Sequence, residues 1–416
     1  MTKAPRRPSR RPPSERLELS VVLPCLNEAR TLAQCIHQAR LGAERAGAQG
    51  AEIIIADNGS DDGSPEIARA EGGILVSVPT RGYGAALQAG IRASTGAYVV
   101  MGDSDGSYDL SEIEPFLQRL RQGLPLVIGS RFRGGIRPGA MPFLHRYLGN
   151  PILTAIANLL FRTRLSDYHC GLRAFDRQAI QSLDLRTTGM EFASEMIIRA
   201  AIAGLKIGEV PVTYSPAGRG RPPHLHTWRD GWRHLRFMLL YSPRWLFFYP
   251  GAALAALGAV LSTLLLSGPL RIGNVTLDVH TLLFAETCLV LGIQLILLGV
   301  FTRVYASTAR LLPPSPRLEG LVERFSLGLG LACGVGVAAL GAAVYLVGLY
   351  LWSQIGFGPI ADSSLTLRIA ITGTTLILLG AELFFGSFVV SLLRLQRQGS
   401  FAPVGEQLPR EHARPT

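Results

Sequence analysis

Two aspartates one residue apart, Asp103 and Asp105, stand in the segment Ala97–Asp109, AYVVMGDSDGSYD. The run Tyr98–Met101 is short, apolar and rich in β-branched residues, which predicts a strand buried on both faces. On an extended chain residues i and i+2 project to the same side. The two carboxylates therefore repel unless water or a cation lies between them. An oxygen-only pair suits Mg²⁺ or Mn²⁺, and such ions usually share their shell with a substrate diphosphate. The plainer reading is a solvated turn, because Asp, Ser and Gly are all turn formers.

The elements that must position this pair are strands alternating with helices from Leu17 to about Val212, the pattern of a largely parallel α/β sheet. Predicted strands are Leu19–Pro24, Glu52–Ala56, Ile74–Val78, Tyr98–Met101 and Leu126–Gly129. Predicted helices are Glu28–Arg40, Ser64–Glu71, Tyr83–Ala93 and Ser111–Gln122. Four strand ends carry polar groups together: Cys25-Leu-Asn27-Glu28, Asp57-Asn-Gly-Ser-Asp61-Asp62, Asp103-Ser-Asp105 and Ser130-Arg131. Ligands of open α/β sheets bind at the carboxyl ends of strands, so a polar ligand site is expected at this edge.

Composition narrows the partners. The 416 residues carry a net charge of +11, and only Lys3 and Lys206 among the 41 basic residues are not arginine. Arginine binds phosphate through a bidentate fork. No nucleic-acid motif or aromatic-interleaved basic strand accompanies the charge, which excludes DNA or RNA as the expected partner. The five cysteines are odd in number and lack CxxC spacing, which argues against a disulfide framework or a zinc site. Mean hydropathy is +0.27, high for a soluble chain.

Taken in order, LPCLNE, DNGSDDGS, DSD and GSR resemble the family 2 glycosyltransferases of GT-A fold. The continuation Asp167-Tyr-His-Cys-Gly171-Leu-Arg173 and then Gly208-Glu209-Val-Pro211-Val resembles their polyprenyl-phosphate branch, the dolichyl-phosphate mannose or glucose synthase group. The resemblance covers about residues 18–245. It implies that Pro24, Asn27, Glu28, Asp57 and Asp103 bind a nucleotide-diphosphate sugar, UDP- or GDP-linked, and that Asp103 and Asp105 hold the metal. It sets Arg131 near the diphosphate, Asp167 as the catalytic base, and Arg173 orienting Asp167 or binding phosphate. Arg146, Asn150, Arg219 and Arg221 fall where relatives meet the acceptor phosphate. Asn27 could equally cap a helix beginning at Glu28. Asp62 reads as a turn or cap residue, and Asn58 stands where the family usually has a second aspartate. Arg81-Gly-Tyr-Gly84 is not a GxGxxG loop, so it is expected to pack helix backbone closely near the nucleotide.

The remainder reads as membrane. Residues 1–16 form a disordered basic arm without a hydrophobic stretch, and 17–225 the GT-A domain. In residues 226–245, Trp228, Trp232, Leu235 and Leu239 share one helical stripe beside Arg229, Arg233 and Arg236, an interfacial amphipathic helix. Four apolar runs within 246–393, at about 246–268, 279–301, 326–352 and 367–393, are each long enough to cross a ~30 Å hydrocarbon core, and 394–416 is a tail. Arg303, Arg310, Arg317 and Arg324 lie in one loop, whereas the flanking loops hold Arg271 or no arginine. The positive-inside rule then puts both termini and the catalytic domain in the cytoplasm of an integral membrane protein, in the inner or plasma membrane if bacterial. Glu286 and Glu382 fall within spans, where acids are costly. They could be protonated, face a lipid-phosphate groove, or mark a contact between copies in a homo-oligomer.

The expected fold is thus an α/β GT-A domain followed by an all-α four-helix transmembrane domain. The expected activity is metal-dependent, inverting hexose transfer to a membrane polyprenyl phosphate. A processive polysaccharide synthase is the rival of the same class, although Arg244-Trp245 lacks the glutamine motif such enzymes carry. A membrane carrier or flippase subunit with a nucleotide-sensing domain is the rival from another class.

Overall fold

The computed structural model describes residues 17–218, 227–309, 311–313, 316, 320, 324, 326–358 and 364–399. The basic arm, Arg219, Arg221 and the tail beyond Gly399 lie outside the described residues. The chain forms two units, divided between Met238 and Leu239.

The first unit is built on seven strands: β1 (Leu19–Cys25), β2 (Glu52–Asp57), β3 (Ile74–Ser77), β4 (Tyr98–Met101), β5 (Leu126–Ser130), β6 (Arg173–Asp176) and β7 (Ile207–Pro211). Their order is β3-β2-β1-β4-β6-β5-β7. Every neighbouring pair is parallel except those of β6, which runs antiparallel to β4 and β5. The helices are α1 (Leu32–Arg45), α2 (Ser64–Ala70), α3 (Tyr83–Ala93), α4 (Glu114–Arg121), α5 (Arg131–Gly134), α6 (Asn150–Phe161), α7 (Arg177–Gln181), α8 (Phe192–Ile202) and α9 (Thr227–Leu240). Continuous apolar runs are what strands covered on both faces require, and β5 is buried at every position.

The chain builds β1, β2 and β3 outward and then returns to lay β4 on the other side of β1. That reversal opens a crevice at the carboxyl ends of β1 and β4. Parallel register sets Cys25 beside Asp57 and Val22 beside Met101, so the loops after β1, β2 and β4 emerge together. β6, which the sequence pattern does not predict, sets Met101 opposite Arg173. Two steps further along the same antiparallel register, Asp103 comes opposite Gly171.

The helix expected from Glu28 begins instead at Leu32. Asn27 adopts a left-handed φ of 57°, and its side chain accepts from Asp61 N at 2.9 Å. It therefore ties two strand-end loops together and caps no helix.

The second unit holds α10 (Tyr249–Leu266), a hairpin of β8 (Leu270–Ile272) and β9 (Val275–Leu277), and then α11 (Val279–Thr308), α12 (Leu327–Ser353) and α13 (Ser364–Gly399). Four stretches, Arg244–Leu266, Val279–Thr308, Leu327–Ser353 and Ser364–Arg394, are long and apolar enough to cross a membrane. Small residues let these helices pack backbone to backbone. A Cβ on Gly258 of α10 would lie 2.5 Å from Ala285 O of α11, and one on Gly341 of α12 would lie 2.7 Å from Gly373 O of α13. Glu286 of α11 is buried beside the hydroxyls of Ser262 and Thr375, and Arg368 of α13 pairs with Asp278.

Candidate active site

The loop after β4 is held from all sides. Ser104 Oγ donates to Pro24 O at 2.6 Å, and Thr31 Oγ1 donates to Ser104 O at 2.7 Å, which fixes it to the β1 loop. Asp105 Oδ1 accepts from Ser107 N at 3.0 Å, and Asp105 O accepts from Gly218 N at 2.9 Å. Asp103 Oδ1 accepts from the hydroxyl of Tyr83 at 2.9 Å. A Cβ on Gly171 would come within 2.5 Å of Asp103 Oδ2. The glycine of the Asp167–Arg173 motif is thus what lets that motif lie against the first aspartate of the acidic pair.

The β1 and β2 loops form an adjoining wall. Asn27 N donates to Ser60 Oγ at 2.9 Å, and Glu28 N donates to Ser64 Oγ at 3.0 Å. Asp57 is buried at the end of β2, where its carboxylate accepts from Gly59 N at 3.1 Å and from Ser60 N. Asn58 donates to the carbonyls of Val78 and Thr80 and accepts from Gly82 N. An aspartate there could not donate, so the amide is needed to join this loop to the segment between β3 and α3. Asp62 serves as a local cap, accepting from Ala29 N at 2.9 Å and from Ser64 Oγ at 2.6 Å. Burial works against its charge, yet the bonds from Ser64 and Ala29 hold its pKa below the usual carboxylate value.

On the opposite side Arg131 and Asp167 form a buried bidentate pair. Arg131 Nε donates to Oδ2 at 2.7 Å and Nη2 to Oδ1 at 2.8 Å, and Asp167 is 0% exposed. The Arg131 guanidinium also lies over the Tyr214 ring, 5.2 Å from its centroid. Burial disfavours the Arg131 cation, but Tyr108 and Asp167 raise its pKa well above the ordinary arginine value. Glu209, from the last motif of the resemblance, accepts from Ser166 N at 2.6 Å and from Ser166 Oγ at 3.0 Å. It thereby anchors the turn carrying Asp167 to β7.

One expectation is corrected. Arg173 does not orient Asp167. It is wholly buried, and its guanidinium donates to the carbonyls of Cys170 at 2.8 Å, Tyr168 at 3.2 Å and Ala193. Those carbonyls belong to the motif turn and α8, so Arg173 fastens the turn as a whole. The residue that meets Asp167 is Arg131, whose distance in sequence hid the pairing. Glu195 is buried and caps Thr187 N at 2.9 Å, whereas Glu191 pairs with Arg233 of α9 at 2.6 Å.

Arg146 and Asn150 lie apart from this cluster in the bonds they make. The Arg146 cation sits 5.3 Å from the centre of the Tyr147 ring, and Asn150 Nδ2 contacts Met141 Sδ at 3.4 Å. Around them runs an apolar face the sequence reading missed: Phe143 (78%), Tyr147, Leu148, Ile152 and Leu159 (57%) are all exposed. The signal was present in the run itself, which Arg146 interrupts and Arg137, Arg162 and Arg164 flank. The body of α6 supports the motif turn, since Tyr168 N donates to Thr154 Oγ1 at 3.3 Å and Asn158 Nδ2 donates to Leu165 O at 2.8 Å.

The donor set fits a hard divalent cation. Asp103 and Asp105 offer only oxygen, and the hydroxyl of Ser107 on the same turn is buried without a hydrogen-bond partner. Among the described residues no group of three or more His, Cys, Asp or Glu side chains comes together as a metal cage. Two carboxylates leave most of an octahedral shell to water and phosphate oxygens.

Comparison with known proteins follows the same division. The model described as "Glycosyl transferase family 2" matches residues 20–184, and that of the "Glycosyltransferase family 2 C-terminal transmembrane region" matches residues 300–394. The low-salt glycan biosynthesis hexosyltransferase Agl6 of Haloferax volcanii is 37% identical over 377 residues, spanning 90% of this chain and 89% of its own. Glycosyltransferase AglJ of the same organism is 30% identical over 297 residues, spanning 70% of this chain and 94% of its own. A dolichyl-phosphate hexose transferase of that organism is 32% identical over 198 residues, spanning 47% of this chain and 82% of its own.

Proposed function

The chain belongs to glycosyltransferase family 2 and carries the family's C-terminal membrane region, and from that premise we propose that it transfers a hexose from a nucleotide-diphosphate sugar to a polyprenyl phosphate with inversion. The observation that carries this reading is the meeting of Asp103, on the β4 loop, with the Asp167–Gly171 turn at one sheet edge, in a chain that also has four membrane-length helices. The exposed apolar face beside Arg146 supports a lipid acceptor, and the relative named for dolichyl-phosphate hexose transfer supports the same class.

In this reading the nucleoside lies against the β1 and β2 loops, near Pro24, Asn27, Glu28 and Asp57, and Asp103 and Asp105 hold Mg²⁺ or Mn²⁺. A divalent ion bound there supplies charge neutralisation for the departing nucleoside diphosphate. An oxygen of the acceptor phosphate attacks the anomeric carbon from the face opposite the diphosphate. The new carbon–oxygen bond forms as the bond to the diphosphate breaks, so the configuration inverts. A phosphate monoester has a second pKa near ~6 and is largely dianionic at neutral pH. The acceptor then needs no strong base. Asp167, with both oxygens taken by Arg131, acts by holding that guanidinium toward the phosphates.

Orientation belongs to the same proposal. The arginines between the second and third spans support an orientation with both termini and the catalytic domain on the cytoplasmic side, where nucleotide sugars are found.

The test offers purified full-length protein a polyprenyl monophosphate, a short water-soluble isoprenyl phosphate and a soluble sugar alcohol, each with UDP- and GDP-hexoses. The expected product is a lipid monophosphate sugar whose anomeric configuration, read by NMR, is opposite to the donor's. Transfer only to the soluble sugar alcohol, or retention of configuration, would overturn the reading.

A further inference from the structure

The stretch Arg81-Gly-Tyr-Gly84 matches no phosphate loop, yet its two glycines are both structurally required. Gly82 has φ 141°, and a Cβ there would lie 2.2 Å from Thr188 O, while a Cβ on Gly84 would lie 2.5 Å from Thr187 O. The first turn of α3 therefore rests directly on the backbone of the loop before α8. Two bonds fix it there: Ala85 N to Thr188 O at 3.1 Å and Gln88 Nε2 to Thr187 O at 2.8 Å. That loop is pinned from behind by buried Glu195, which accepts from Arg186 N at 3.0 Å, Thr187 N at 2.9 Å and Thr187 Oγ1 at 2.7 Å. Between the two glycines stands Tyr83, and its hydroxyl donates to Asp103 Oδ1 at 2.9 Å.

We propose that Tyr83 is the positioning residue of the acidic pair, setting the plane of the Asp103 carboxylate and with it the affinity for the divalent ion. This rests on the reading that Asp103 and Asp105 hold that ion. The geometry supplies a two-sided grip, with the phenol on one oxygen and Gly171 against the other. The chemistry of the donor matters as much. A lysine or arginine in this place would orient the carboxylate but cancel its charge and repel an incoming cation. A neutral phenol orients it and leaves the negative charge intact. Outer-shell hydrogen bonds to ligating groups are commonly worth about 10–100-fold in metal affinity.

The test uses purified full-length protein and Mn²⁺ as the probe. Binding is followed by loss of the free-ion electron paramagnetic resonance signal, with UDP or GDP added in turn, for the wild type, Tyr83→Phe and Asp105→Asn. The inference expects Tyr83→Phe to bind Mn²⁺ at least about tenfold more weakly than the wild type. Its metal-free thermal midpoint should stay within about 3 °C of the wild type, and excess Mn²⁺ should restore kcat. Wild-type affinity in Tyr83→Phe, alongside loss of binding in Asp105→Asn, would overturn the inference and leave the metal pair standing. A large fall in the metal-free midpoint would overturn it too, since the residue would then be structural. Wild-type binding in Asp105→Asn, or no binding by the wild type, would overturn the metal reading and this inference with it.

Discussion

Arg131 and Asp167, separated by 36 positions in sequence, meet through two parallel bonds of 2.7 and 2.8 Å in a site where the carboxylate is wholly buried. Removing one partner of such a pair leaves the other charge buried and uncompensated, at a cost of about 3–5 kcal/mol. Asp167→Asn should therefore lower the denaturation midpoint strongly. Its residual transfer rate should stay measurable, whereas Asp105→Asn should abolish transfer with the fold intact. Equal loss of activity in both variants, with no loss of stability in Asp167→Asn, would show that Asp167 takes part in the chemistry itself.

Gly171 makes a second prediction. Its backbone does not require a glycine, because it is absent from the residues with positive φ. What requires it is the Asp103 carboxylate, 2.5 Å from where a Cβ would stand. Gly171→Ala should leave a folded protein and reduce kcat/KM on the order of 10²-fold, the cost of displacing a catalytic group by about 1 Å. Wild-type kinetics in this variant would show that the motif turn and the acidic pair act independently.

A third prediction concerns pH. The ring of His169 has its Nε2 buried without a hydrogen-bond partner and lies 4.9 Å from that of His234. Burial first, then His234 and the cations Arg131 and Arg173, push its pKa well below the usual histidine value. The folded protein keeps this ring neutral, whereas an unfolded chain protonates it below about pH 6.5. Stability from this group is complete above that pH. It falls as pH drops below it, by about 1.4 kcal/mol per pH unit for one linked proton. His169→Phe should flatten the decline between pH 6.5 and 5 in thermal melts of the full-length protein. An unchanged slope would show that the imidazole is not the group responsible.

The apolar runs and the polar residues after them carried the parallel strands and the strand-end site, because both are local patterns. The pairings across the site were hidden because they depend on register. Gly171 meets Asp103 only through the antiparallel strand β6, four residues long and without turn signals that would separate it from its surroundings. The same strand puts Arg173 into a nest of carbonyls, so a motif that reads as a catalytic arginine encodes a fastening. Asn58 shows the converse: read beside its neighbour Asp57 it is a lost charge, whereas in the fold its amide donors join two loops. α1 begins four residues later than the pattern suggests, because Asn27 turns the chain through a left-handed conformation to reach Asp61.

The most direct measurement follows labelled sugar into lipid. Purified full-length protein in detergent is given polyprenyl phosphate, Mn²⁺ or Mg²⁺, and labelled UDP-glucose, UDP-N-acetylglucosamine or GDP-mannose separately. EDTA and Asp105→Asn serve as controls. The account predicts label in the organic phase from one donor, abolished by both controls. Label that survives EDTA and Asp105→Asn would contradict it. So would its absence with every donor while the folded protein still binds nucleotide, an outcome that would favour a carrier with a nucleotide-sensing domain.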